Sequence, residues 1–91
     1  MNDKVKSLTK PTIHLNGSSA ERLAEGYKKA YDAIGEAVAA VRETAPNGRD
    51  YPEIGTLEKA QAEHPSRLTH LSNVLEELET LTIFCLDRGD T

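Results

Sequence analysis

Apolar residues recur along two segments of this chain at alternating steps of four and three, and a single Pro-Asn-Gly stop separates the segments. The first stripe is Ala20, Ala24, Tyr27, Tyr31, Ile34, Val38, Val41 and Ala45; the second is Ala60, His64, Arg67, Leu71, Val74, Leu78, Leu81 and Cys85. A four-three repeat puts its members on one face of an α-helix and on no coherent face of a strand. Ala45-Pro46-Asn47-Gly48 ends the first helix, because a residue before proline avoids helical geometry and Asn-Gly readily supplies a positive φ. The expected fold is therefore all-α, an antiparallel two-helix hairpin.

Local signals set the expected boundaries. Ser18-x-x-Glu21 has the form of a capping box, so the first helix is expected over about 18–45. A connection over 46–56 follows, longer than most links between bundle helices. Thr56 is an acceptable N-cap for a second helix over about 57–87, and Pro65 predicts either a kink or a restart with His64 as cap. Leu68, Leu75 and Thr82 widen the second stripe. Gly26 and Gly35 cost about 1 kcal/mol each against alanine inside a helix, and with the alanines they permit close helix approach.

Such a hairpin is poor in core material. The 91 residues include three Tyr, one Phe and no Trp, so Leu, Val, Ile and small alanines must supply the interior. With a single cysteine, Cys85, an intrachain disulfide is impossible. Self-association into an oligomeric helical bundle is the expected compensation, through Leu71, Val74, Leu75, Leu78 and Leu81 on a face broader than one partner helix needs.

Residues 1–12 are polar and lysine-bearing and read as a flexible arm; in the next stretch, Ile13 and Leu15 are expected to pin a short extended segment to the hairpin before an Asn16-Gly17 turn. The net charge is −4, and since the arm carries three lysines against one aspartate, the remainder holds about −6. Binding to duplex nucleic acid, which needs a basic face, is not expected. No run approaches the ~20 apolar residues of a membrane span, and the first residues lack the apolar core of a signal peptide, so a cytoplasmic location is expected, without membrane contact.

Catalytic and metal chemistry find little support. His14, His64, His70 and Cys85 lack metal-ligand spacing, so no metal and no cofactor is expected. Cys85 reads as a small buried hydrophobe, and no nucleophile–base pair suggests an enzyme. One group stands apart. His64 and Arg67 occupy stripe positions where apolar residues belong, and an antiparallel hairpin brings them toward Arg49 and Tyr51 of the connection. Two guanidinium groups, an imidazole and a phenol ring suit an anionic planar ligand, since Arg binds phosphate bidentately and Tyr stacks on a base. His14 and Asn16 complete the candidate ligand-binding set. The plainer reading makes Arg67 a snorkelling side chain paired with Glu63, Asp50 or Glu53.

Three stretches carry a resemblance: Ile13-His14-Leu15-Asn16-Gly17-Ser18-Ser19, Ala45-Pro46-Asn47-Gly48-Arg49-Asp50-Tyr51, and Ala62-Glu63-His64 with Arg67. Together they resemble a family of short helical proteins common in phages and prophages, over roughly residues 13–86. Pro52 stands where that family often has a second Tyr, and Pro65 where it has an alanine-like residue. The resemblance implies an accessory protein acting in the host cytoplasm against host defence. It would work either as an oligomeric sponge for a nucleotide-like anion or as a module that docks on and inhibits, or scaffolds, a host or phage protein.

Overall fold

The computed structural model describes residues 8–89. Among them the fold is all-helical and free of strands, with α1 over Ala20–Arg42, a 3-10 turn over Gly48–Asp50 and α2 over Thr56–Gly89. Of the arm expected over 1–12, residues 1–7 lie outside the described part, and Leu8 and Pro11 are half-buried.

Both helix starts differ from their sequence signals. The N-cap of α1 is Ser19, whose hydroxyl accepts from the Arg22 amide at 3.1 Å, so the capping box expected from Ser18 and Glu21 does not form. A Ser cap of this kind contributes about 1 kcal/mol. Thr56 is not a cap but the first residue of α2, with its hydroxyl donating back to the Glu53 carbonyl at 2.8 Å. Gly55 precedes it at φ +85, the one positive φ among the described residues, and the Asn47-Gly48 pair does not supply the positive φ expected there. Asn47 instead caps the 3-10 turn, its side-chain oxygen accepting from the Arg49 amide at 2.9 Å.

α1 stops three residues short of Ala45. Its last carbonyls are taken up by tight turn bonds: Glu43 to Ala40, Thr44 to Val41, and Ala45 to Arg42, with the Thr44 hydroxyl adding a second bond to Val41 at 2.6 Å. α2 runs unbroken through Pro65, so the expected break with His64 as cap does not occur. One proline removes a single backbone donor, and about six helical turns beyond it hold the chain in register. Pro65 is itself exposed.

The helices are antiparallel and of unequal length. A Cβ built on Gly89 would lie 3.7 Å from that of Ala20 and 3.0 Å from a Glu21 carboxylate oxygen, which places the end of α2 beside the start of α1. At ~1.5 Å per residue, Arg42 at the other end of α1 comes level with roughly Arg67. The first three turns of α2 therefore extend beyond α1, and residues 43–55 fold back along them, with Gly48 against Leu57. That overhang is why the connection is long.

The buried core is small: Ala20, Ala24, Val38, Ala60 and Cys85. Tyr27, Ile34 and Val41 of α1 are half-buried, as the stripe requires, Leu23 is half-buried beside it, and Tyr31 sits at its edge. On α2 the stripe is rotated: Leu68 and Leu75 are half-buried where Arg67 and Val74 are exposed. Gly26 and Gly35 meet nothing within 4 Å, so close helix approach is not their role. The radius of gyration is 18.1 Å, against about 12 Å for a compact domain of this length.

Candidate functional site

The loop-end candidates come from three pieces of backbone. The 3-10 turn carries Arg49, and Tyr51 follows it with its amide bonded to the Gly48 carbonyl. Both side chains are exposed. His64 lies on the overhanging part of α2, half-buried, with Nδ1 shut off from solvent and without a hydrogen-bond partner. Arg67 stands one turn further on, at the level where α1 gives way to the connection.

Neither Arg49 nor Arg67 lies within ion-pairing distance of a carboxylate among the described residues. The snorkelling pair with Glu63, Asp50 or Glu53 is not formed. Arg67 instead lines a surface depression of about 420 Å³ with Ala62, Glu63, Ser66 and His70. His70 and Ser66 were not among the residues singled out from the sequence. Their signal was legible, because positions 63, 66, 67 and 70 form one helical stripe carrying a donor at each of its last three members. Glu63 is the one acidic member and limits how much negative charge the depression accepts.

His14 and Asn16 are elsewhere. Their turn, closed by the Gly17 amide on the His14 carbonyl at 3.1 Å, immediately precedes the cap of α1. That is the open end of the hairpin, separated from Leu57 and the 3-10 turn by roughly 48 Å of α2 rise. One chain does not bring the six candidates together. The His14 ring covers Gly17, and any Cβ there would meet Nε2 at 2.8 Å. Leu15 does not pin the segment, being 98% exposed at the tip of the turn; Ile13 is half-buried.

The residues expected at an oligomer interface divide. Leu71, Leu75, Leu78 and Leu81 are half-buried along the hairpin seam, while Val74 is exposed outside it. A separate groove of about 390 Å³ opens between the helices, lined by Lys28, Tyr31, Asp32, Glu79, Ile83 and Leu86. Cys85 is fully buried, and desolvation pushes its thiol above the usual range, which disfavours a reactive thiolate. No group of three or more His, Cys, Asp or Glu side chains gathers as a metal set among the described residues, and no helix there is long and apolar enough to cross a membrane.

Comparisons with protein-family models, with curated proteins and with solved structures find no match to this chain.

Proposed function

We propose that the protein is a non-enzymatic binding protein that acts as an oligomer and sequesters a small anionic, nucleotide-like ligand at the loop end of the hairpin. The observation that carries this reading is a pair of exposed guanidinium groups without carboxylate partners, Arg49 and Arg67, on a chain of net charge −4. Arg22 and Arg42 are likewise without an ion pair among the described residues, so what singles out Arg67 is its place in a depression beside the donors Ser66 and His70, where it is available to phosphate oxygens. Tyr51 offers a ring for stacking; His64 can contribute only through Nε2, because its unpartnered Nδ1 is shut off from solvent. His14 and Asn16 join such a site only from another copy of the chain. In the host cytoplasm such a sponge would act on a nucleotide signal of host defence, one of the two roles that the resemblance to phage accessory proteins implies.

The experiment is native mass spectrometry of the protein before and after exposure to a nucleotide extract, followed by titration of the bound species. Arg67→Ala should lose at least tenfold in affinity while its melting temperature stays within a few degrees of the parent. If Arg49→Ala and Arg67→Ala both bind like the parent, the anion site is wrong.

A docking module for a host or phage protein is the second reading. It is favoured by one observation, the exposed Tyr31, Ile83 and Leu86 around a single groove. Capture of one stoichiometric protein partner, lost on Ile83→Glu and retained on Arg67→Ala, would favour it over the sponge.

A further inference from the structure

Asn-Gly pairs stand at Asn16-Gly17 and Asn47-Gly48, and all four residues are exposed. A glycine after asparagine matters because, without a Cβ in the way, its amide nitrogen can approach the neighbouring side-chain carbonyl carbon. Asn47-Gly48 lies in the connection, directly before Arg49.

The structure sets the two pairs apart. At Asn16 the attacking group is occupied, since the Gly17 amide donates to the His14 carbonyl at 3.1 Å and so holds the proton that attack must remove. At Asn47 it is not. The Gly48 amide makes no hydrogen bond among the described residues, while the Asn47 side chain is folded toward the chain that follows it, with Oδ1 accepting from the Arg49 amide at 2.9 Å. That bond also favours reaction. It strengthens as charge gathers on Oδ1, so the Arg49 N–H stabilises a tetrahedral oxyanion there more than it stabilises the resting amide.

We propose that Asn47-Gly48 is a self-modification site, at which the folded chain deamidates without an enzyme and sets a new carboxylate beside Arg49. The Gly48 nitrogen gives its proton to solvent base and bonds to Asn47 Cγ; the Cγ–Nδ2 bond breaks, and Nδ2 takes up a proton and leaves as ammonia. Water then opens the cyclic imide. Opening at Cγ leaves an aspartate at position 47, and opening at the main-chain carbonyl leaves an isoaspartate, with no oxidation or reduction in either case. Aspartate can still cap the turn, because its carboxylate accepts from the Arg49 amide as the side-chain amide did. Isoaspartate lengthens the main chain by a methylene and disturbs the turn that carries Arg49. Either product makes the net charge of −4 more negative by one. The added charge lies next to a guanidinium of the proposed anion site, but the modification itself does not depend on that reading.

The test is incubation of the full chain at mildly alkaline pH, folded and in denaturant, with the mass and isoaspartate content of the peptides around Asn16 and Asn47 followed over time. In the folded chain Asn47 should convert at least about fivefold faster than Asn16, and in denaturant the two rates should agree within about twofold, because the pairs are then chemically alike. Gly48→Ala should slow conversion at Asn47 about tenfold or more. The fold accommodates that variant, since φ at Gly48 is not positive and the added Cβ meets Leu57 at 3.7 Å; circular dichroism checks that helicity is kept. Conversion at Asn16 as fast as at Asn47 in the folded chain would overturn the assignment and point to the His14 imidazole, which lies against Gly17, as a base there. A fivefold ratio that persists in denaturant, or a Gly48→Ala variant that converts like the parent, would overturn it as well.

Discussion

The two ends of the hairpin are built on different principles. At the open end, Ala20, Ala24 and Cys85 are buried and Gly89 lies against Ala20 and Glu21, so small side chains let the two helices close on each other. At the loop end α2 runs past α1, and its covering is the irregular connection. The seam there contains His64 with an unpartnered nitrogen, while Arg49, Tyr51 and Ile54 project outward. The open end is closed by fit between small side chains, whereas the loop end leaves a buried nitrogen without a partner and the Arg49 and Tyr51 side chains exposed.

The sharpest way to break this contrast is to overfill the open end. Ala24→Leu adds volume where no space exists and should cost about 1–3 kcal/mol, lowering the melting temperature by about 4–8 °C for each kcal/mol. A melt unchanged by Ala24→Leu would show that the open end is looser than its burial indicates.

The loop end should respond in the opposite direction. His64→Leu removes a buried nitrogen without a partner and should stabilise the hairpin by about 1 kcal/mol while weakening anion binding. Calorimetry of the variant beside its binding isotherm separates the two effects, and a destabilised His64→Leu would mean that the imidazole is held by a bond within the fold.

Between the ends, α1 carries helical glycines that touch nothing. Gly26→Ala and Gly35→Ala should each stabilise by about 0.5–1 kcal/mol, because alanine loses less backbone entropy and no neighbour stands within 4 Å. Denaturant midpoints would check this. A loss of stability at either position would place a second chain against that face of α1.

The smallest effect concerns Cys85. Because burial raises its folded-state thiol above the unfolded value, the neutral thiol is the form that favours folding. Its contribution is complete below the unfolded thiol range and is lost as pH rises through the folded value. Stability at alkaline pH should therefore fall more steeply in the parent than in Cys85→Ala, compared by thermal melts across that range.

Helix type, helix number and antiparallel pairing were determined by the sequence itself. The four-three spacing has one helical solution, and Pro46 with its neighbours allows a single reversal. The polar interruptions of the second stripe, His64 and Arg67, and the long connection carrying Arg49 and Tyr51 were likewise visible in the sequence. Tertiary structure decided what local signals leave degenerate. Ser18 and Ser19 are equally good caps by chemistry, and the entry of the chain into α1 selected Ser19. Arg67 and Leu68 are adjacent on a helix, about 100° apart, and only the packing of α1 against Leu68 turned Arg67 outward. Pro65 is a helix breaker in isolation, yet the contacts made on both sides of it outweigh one missing bond. The separation of His14 and Asn16 from the arginines followed from the relative lengths of the two helices and their register, which depend on contacts distant along the chain and leave no mark at either residue.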